Sequence, residues 1–238
     1  MDFFDRFQRF YATSQTGPSS KRLNARYQAI IRENIGVLRA KRVLDVASHD
    51  GRWSFAALDA GCDHVTGIEA REHLVVSARA TFHAYGIDAG KFRFVHADAF
   101  DALRQEDISV DTMLLLGFFY HVNRHVELAA LVARTGATHI VLDTLIVPDH
   151  KVPDGTAIIR LMNEKTDEEG NAVACGAMTI VGHPSREAIK LIFGHFGYSV
   201  REIDWSPYVE NDESLADYYR GERATFLLSR PVDPPPAT

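Results

Sequence analysis

Cysteine is scarce in the 238-residue sequence, which contains only Cys62 and Cys175, neither in a CxxC spacing. Two isolated cysteines cannot supply the disulfide framework of a small secreted domain, nor the paired thiolates of a zinc or redox motif. No apolar run approaches the roughly 18 residues of a membrane-spanning helix. The first residues also lack the basic-then-apolar order of a signal peptide. We therefore expect a cytoplasmic protein with no membrane partner.

The sequence also lacks an excess of positive charge. Its formal net charge is −6, from 26 Lys and Arg against 32 Asp and Glu. Nucleic-acid binding depends mainly on neutralising phosphates with cationic side chains, so we expect no nucleic-acid partner. A hydrophobic content of 46% with 24% charged residues is typical of a globular chain, and the length suits one domain.

Short apolar runs alternate with amphipathic segments along most of the chain. Runs of four to eight residues rich in Val, Ile and Leu are typical of buried parallel strands, and strands that alternate with helices indicate an α/β fold. We predict a doubly wound, mostly parallel seven-stranded sheet of the Rossmann-like type. Its strands are residues 42–46, 65–69, 92–96, 110–116, 139–143, 199–205 and 224–229.

The segments around these strands divide the single domain further. Residues 1–40 are predicted as amino-terminal helices, over Asp2–Tyr11 and Lys21–Leu38, which pack on the domain or form a lid. Residues 41–147 would be the cofactor-binding half and 148–183 an insertion over the carboxyl edge of the sheet. Residues 184–230 would form a helix and two strands, and 231–238, rich in proline, a disordered tail.

The stretch from Val43 to Ser54 indicates a strand, a sharp turn and the start of a helix. A helix that begins just after a strand offers free N–H groups to an anionic ligand. A second predicted strand ends at Glu69, about eighteen residues after Gly51, where an acid can bind both hydroxyls of a ribose. Asp98 follows the third strand. Acids at successive strand ends indicate a nucleotide-like ligand at one edge of the sheet.

This arrangement resembles the class I S-adenosylmethionine-dependent methyltransferases over roughly residues 41–229. In that family the loop after the first strand usually reads acid-x-Gly-x-Gly-x-Gly. Asp45 and Gly51 keep the acid and the last glycine, whereas Ala47 and His49 replace the others, which implies ordinary φ values or a locally different turn.

The resemblance implies S-adenosylmethionine as cofactor and assigns a position to each candidate residue. It places Asp45 and Gly51 by the methionyl group, Glu69 on the ribose and Gly117 under the reacting methyl. The remaining candidate cofactor-binding residues are Asp98 and Ala99 by the adenine, and Trp53, which would shield the cofactor or belong to the core.

A closer resemblance joins segment 45–54 and the run Phe119-Tyr120-His121-Val122 to the small sugar O-methyltransferases of methylmannose polysaccharide biosynthesis. It implies O-methylation of a saccharide, specifically a short methylated mannoside, with Mg2+ as a helper ion. A different small-molecule acceptor would suit the same fold.

Methylation of a hydroxyl requires removal of a proton, by a base that titrates near neutrality or with the help of a metal. His121 follows the turn after the fourth strand, where the methyl would emerge, and is the first candidate for the base. Asp143 ends the neighbouring fifth strand and could orient the histidine, bind Mg2+ or be the base itself. Asp149 is a second candidate metal ligand.

Three alternatives remain open from the sequence. A nicotinamide-binding Rossmann domain would require a Gly-x-Gly-x-x-Gly motif, which this loop lacks. N-methylation of a small amine or of RNA is a second alternative, although the acidic composition disfavours RNA. A non-catalytic S-adenosylmethionine-binding protein is the third, because the altered glycine loop is compatible with lost activity.

Overall fold

The computed structural model describes residues 1–13, 20–105, 108–165, 177–209 and 212–231. Its main feature is a seven-stranded sheet. The strands are β1 Arg42–Val46, β2 His64–Glu69, β3 Phe92–His96, β4 Thr112–Leu116, β5 His139–Leu145, β8 Ser199–Glu202 and β9 Arg223–Ser229. Their order is β3-β2-β1-β4-β5-β9-β8, and all are parallel except that β9 runs antiparallel to β5 and β8. The predicted doubly wound, mostly parallel α/β fold is confirmed.

Helices cover both faces of this sheet. The helices are α1 Phe3–Arg6, α2 Ser20–Arg26, α3 Ile35–Leu38, α4 Arg52–Asp59, α5 Glu72–Ala84, α6 Ala99–Gln105, α7 His125–Arg134, α8 Arg186–His195 and α9 Ala216–Tyr219. Every residue of β4 is buried, which explains why its sequence is an unbroken apolar run instead of an alternating one. Two hydrophobic cores result, one on each face of the sheet.

The amino-terminal helices are more broken than the sequence predicts. The predicted helix over Asp2–Tyr11 is divided at Phe7 into α1 and a 3-10 turn. The predicted helix over Lys21–Leu38 becomes α2, a π-helical turn and α3, because the Asn34 amide donates a 2.9 Å hydrogen bond to the backbone carbonyl of Ile30. An asparagine that binds a helix carbonyl competes with the regular hydrogen-bond pattern.

Residues 148–183 include part of a separate two-stranded antiparallel sheet, formed by β6 Ile159–Lys165 and β7 Met178–Pro184. This hairpin packs against residues 119–121, which follow the carboxyl end of β4. Ser185 caps α8 by accepting a hydrogen bond from the Ala188 N–H, in agreement with the predicted start of that helix. Residues 232–238 of the predicted disordered tail lie outside the described residues.

Among the helices that the structure describes, none is long and apolar enough to cross a lipid bilayer.

Candidate functional site

The carboxyl ends of four neighbouring strands bring the candidate cofactor residues to one edge of the sheet. Because β3, β2, β1 and β4 are parallel and adjacent, Asp98, Glu69, the loop after Val46 and Gly117 follow one another along this edge. The strand order changes direction between β1 and β4. Ligands of open α/β sheets bind at the carboxyl ends of the strands beside such a switch point.

The loop after β1 has left-handed backbone conformations at alternate residues. Ala47 has φ 57°, His49 φ 54° and Gly51 φ 78°. These are the three positions at which the resembling family has glycine, so the expectation of ordinary φ values at Ala47 and His49 was wrong. The loop therefore has left-handed backbone conformations at Ala47 and His49 although neither residue is glycine, which adopts them most easily.

Hydrogen bonds to the neighbouring strand β2 hold the loop in this conformation. The N–H of Ser48 donates to the Ile68 carbonyl at 2.9 Å and that of His49 to the Glu69 carboxylate at 2.9 Å. Gly51 is required by packing as well as by its φ, because a Cβ there would lie 2.8 Å from Phe94 Cζ. Contacts outside the loop therefore offset the strain within it.

We expect Ala47→Gly to raise the free energy of unfolding by about 0.5–1 kcal/mol. A left-handed conformation costs a non-glycine residue about 1–2 kcal/mol, and the greater entropy lost by glycine on folding offsets part of this. Ala80→Gly is the matched control, because Ala80 is exposed within α5 and its replacement should lower stability by about 1 kcal/mol. Urea denaturation measures both. A loss of stability in Ala47→Gly would contradict a left-handed Ala47.

Asp45 and Trp53 lie on the inner side of this loop. Asp45 is buried and accepts a 2.7 Å hydrogen bond from the Ser54 hydroxyl, while burial raises the pKa of its carboxyl to about 7. The indole of Trp53 is buried edge-on against Phe4, and the Arg26 guanidinium carbon lies 5.0 Å from its ring centroid. Trp53 thus joins the core to the amino-terminal helices, and its cofactor role stays a prediction.

Glu69 is buried at the end of β2, as the sequence predicts. One carboxylate oxygen accepts the Arg71 N–H and its Nε, and the other accepts the His49 N–H and the Arg71 Nη2. Burial alone would raise the pKa of Glu69, but the bonds from Arg71 lower it below its usual value. Ribose binding would have to replace some of these Arg71 contacts.

Asp98, Ala99 and Gly117 complete the predicted cofactor residues. Asp98 is exposed, and its Oδ1 accepts the N–H groups of Phe100 and Asp101, so it caps α6; Ala99 is the buried first residue of that helix. Gly117 has φ 80°, and its N–H donates to the Asp143 carbonyl at 2.8 Å. Their proximity to adenine and methyl stays a prediction.

Sequence reasoning missed a buried ion pair within the loop. The Arg52 guanidinium donates to both Asp50 oxygens at 2.8 Å, and the Thr13 hydroxyl also hydrogen-bonds Asp50. Burial alone would raise the pKa of Asp50, but His49 and Arg52 lower it. In the sequence, this ion pair was indicated by an acid and an arginine two residues apart, Asp50 and Arg52. Thr13 places the amino-terminal segment against the loop, which suits the predicted lid.

His121 lies in a short 3-10 turn, Phe119–His121, with 47% of its side chain exposed. Its Nδ1 lies 3.8 Å from Oε2 of Glu164 on β6. Desolvation, together with the nearby charge of Arg223, lowers the pKa of His121 although Glu164 raises it. The imidazole is therefore neutral at pH 7, which is the form able to accept a proton. The next helix, α7, is preceded by Arg124 without a side-chain cap.

Asp143 is placed beside β4, as predicted, but it does not face a cleft. Its carboxylate is fully buried and accepts hydrogen bonds from four side chains: Arg26 Nη2 at 2.9 Å, Arg223 Nε at 2.7 Å, Tyr218 OH at 2.8 Å and Thr225 OH at 2.7 Å. Burial opposes ionisation, but the two arginines hold its pKa below the usual range. An ionised carboxylate with all its acceptor positions occupied does not suit the predicted roles of base or metal ligand.

The predicted magnesium site has no support in the described part of the chain. Asp149 is exposed and paired with Arg186 at 3.0 Å, whereas Asp143 is fully buried. The described residues contain no group of three or more His, Cys, Asp or Glu side chains arranged to bind a metal ion. Magnesium typically takes carboxylate and water oxygens in octahedral geometry, and these two aspartates do not converge to supply them.

A cleft of about 470 Å³ opens near the first residue of β9. Arg223, at its inner end, extends towards the candidate base: its guanidinium carbon lies 5.5 Å from the Tyr120 ring centroid, and Tyr120 contacts His121. The cleft is lined by Arg186, Glu202, Asp204, Trp205, Tyr218 and Tyr219, among others. It therefore combines aromatic rings with two arginines and two acids.

Comparison with known proteins finds similarity over part of the chain. Residues 43–136 match a family model described as a methyltransferase domain. Ribosomal RNA large subunit methyltransferase I of Pseudoalteromonas translucida is 32% identical over 78 residues, which are 32% of this chain and 20% of that protein. The chain thus matches about a fifth of that relative.

Solved structures resemble the chain over most of its length. An S-adenosylmethionine-dependent methyltransferase from Mesorhizobium loti aligns with a TM-score of 0.60 at 15% identity, covering 87% of this chain and 98% of that one. DhpI, solved as a complex with SAH, aligns with a TM-score of 0.59 at 18% identity, covering 95% and 93%. At these identities the likeness establishes the fold. The family-model match, over residues 43–136, includes the loop after β1 and the end of β2.

Proposed function

We propose that the chain transfers a methyl group from S-adenosylmethionine to a hydroxyl of a small saccharide acceptor. The observation that carries methyl transfer is the left-handed loop at residues 47, 49 and 51, beside Glu69 at the end of the next strand. The methyltransferase-domain match covers this loop. The saccharide class, and within it a short methylated mannoside, rests on the resemblance of segments 45–54 and 119–122 to small sugar O-methyltransferases.

The adenine, ribose and methionyl parts of S-adenosylmethionine would lie one after another along this edge of the sheet. Asp98 and Ala99 would lie by the adenine, Glu69 by the ribose, and Asp45 with its loop by the methionyl group. S-adenosylmethionine supplies an activated methyl on a sulfonium, so the chain's task is to orient two substrates and exclude water. Gly117, with no side chain, would leave room at the methyl.

His121 would remove the hydroxyl proton. As the acceptor oxygen forms its bond to the methyl carbon, the carbon–sulfur bond breaks and its electrons stay on sulfur; the hydroxyl proton passes to the neutral imidazole. The pKa of His121 is lowered to about 4, so the ring is unprotonated at neutral pH but is a weaker base than the near-neutral histidine that the sequence predicts. The buried, fully bonded Asp143 would instead hold Arg26 and Arg223 in place around this region.

The cleft beside Arg223 is the candidate acceptor site. Tyr219, 43% exposed, offers aromatic surface to the apolar face of a sugar ring, whereas Trp205 and Tyr218 are buried and stack on each other at the wall of the cleft. Charged side chains offer partners to the sugar hydroxyls. Arg186 and Arg223 are balanced there by Glu202 and Asp204, so the lining does not form the cationic surface that a polyphosphate requires. This charge balance favours a neutral acceptor.

RNA is the second candidate acceptor, favoured by the name of the Pseudoalteromonas relative. Incubation with methyl-labelled S-adenosylmethionine and a panel of methylated mannosides, unmethylated oligosaccharides, small amines and ribosomal RNA separates the two. We expect label in a saccharide, as an alkali-stable ether. Label in RNA alone, or in the amines alone, would contradict the proposed acceptor class.

A further inference from the structure

The hairpin formed by β6 and β7 places a carboxylate between two imidazoles at the candidate base. Oε2 of Glu164 lies 3.8 Å from Nδ1 of His121, and Oε1 lies 3.7 Å from Nε2 of His183. Glu164 and His183 share one face of the hairpin, since the register pairs Glu164 with Thr179 and Arg160 with His183. The same face carries the buried Thr179 and Val181.

The hairpin is fixed in position by contacts beyond this cluster. The backbone carbonyl of Gly182 lies 2.8 Å from Nε2 of the buried His125, at the start of α7. A Cβ at position 182 would lie 2.4 Å from His125 Cε1, so only glycine permits this close approach. The turn that carries His121 and the strands that carry Glu164 and His183 are therefore held together.

We propose that Glu164 is a positioning residue, which orients His121 for proton transfer and stabilises its charged form as the proton arrives. This inference rests on the proposed role of His121 and adds to it a function for the hairpin. A carboxylate beside an imidazole fixes the ring orientation and favours the imidazolium, as it does in other acid–base sites. The distance of 3.8 Å is longer than a hydrogen bond, and the proposed role requires it to shorten in the substrate complex, as catalytic contacts commonly do.

Other charged groups face His121 from several elements. His183 on β7, Arg223 on β9 and Arg71 after β2 disfavour its protonated form, whereas Glu164 favours it. Glu164 is thus the counter-charge to these groups. Its removal should weaken the base and also disturb the orientation of the ring.

The test is Glu164→Gln, which keeps the shape and removes the charge. We expect kcat to fall roughly tenfold or more, with the Kd for S-adenosylmethionine unchanged, since removal of an orienting carboxylate typically has an effect of this size. The His121 pKa, measured by NMR titration without acceptor, should fall by about one. Glu187→Gln, on α8 with 44% of its side chain exposed, is the control and should change neither quantity.

Glu164→Asp keeps the charge and should recover part of the rate, which separates positioning from a general loss of folding. An unchanged His121 pKa in folded Glu164→Gln would overturn the proposal whatever the activity. A lowered pKa with full turnover would overturn it as well, because the carboxylate would then have no part in the reaction. Loss of turnover in Glu164→Gln but not in His121→Ala would instead reject the proposed base and, with it, the role given to Glu164.

Discussion

Asp143→Asn is expected to lower the free energy of unfolding by about 3–5 kcal/mol. The substitution would keep the shape of the side chain but leave Arg26 and Arg223 buried without their counter-charge, and breaking a buried ion pair in this way costs about that much. The loss of stability should include the packing of the amino-terminal helices, because Arg26 connects α2 to the sheet. Urea denaturation with an unchanged m-value would measure the loss.

Asp101→Asn is the matched control. Asp101 pairs with Arg104 on the exposed surface of α6, where an ion pair contributes little, so no clear change in stability is expected. A change in Asp143→Asn as small as that of the control would contradict a structural role for the buried network. With that outcome, Asp143 would again be a candidate for the base.

The contribution of Asp143 to the free energy of unfolding should decrease in acid. Its pKa in the folded protein lies below the value near 3.9 of an unfolded aspartate. The contribution is therefore fully present above about pH 4 and is lost as the pH falls through the folded value. The stability difference between wild type and Asp143→Asn should accordingly shrink in acid.

His121→Ala is expected to lower turnover roughly 10²–10⁴-fold, the usual contribution of a general base, while the Kd for S-adenosylmethionine stays unchanged. The selective loss follows from the position of His121, on the turn after β4 instead of in the loop after β1. His73→Ala, on the exposed side of α5, is the control and should keep full turnover. Unchanged turnover in His121→Ala would reject the base.

The rate should depend on pH through the same residue. A base acts in its neutral form, and the pKa of His121 is lowered from the usual value near 6.5. Activity should therefore be level through neutral pH and decline only in acid, well below pH 6.5. A decline centred at or above 6.5 would contradict the described surroundings of the imidazole.

The sequence allows the sheet and one edge of the site to be predicted, because both depend on local pattern. The apolar run of β4 reflects burial on both faces, and Glu69, the last residue of β2, and Asp98, two residues after β3, are recognisable as acids at strand ends. The strand order then brings them to one edge. Ser185 is likewise recognisable as a helix cap from its position alone.

The network around Asp143, the conformation of the loop after β1 and the position of Glu164 depend on contacts between residues that are distant in the sequence. Arg26 and Arg223 lie 117 and 80 positions from Asp143 in the chain, and arginine is usually exposed, so nothing in the local sequence indicates their buried network. The left-handed φ values of Ala47 and His49 contradict residue preference, and hydrogen bonds to β2 hold the loop in this conformation. Glu164 reaches His121 only through the packing of the hairpin.

Calorimetric titration of the wild-type protein tests whether this edge of the sheet binds S-adenosylmethionine. The same titration provides the binding control for His121→Ala. We expect saturable binding of both S-adenosylmethionine and S-adenosylhomocysteine at one site per chain. Absence of binding by either compound, in protein shown to be folded, would contradict this proposed site.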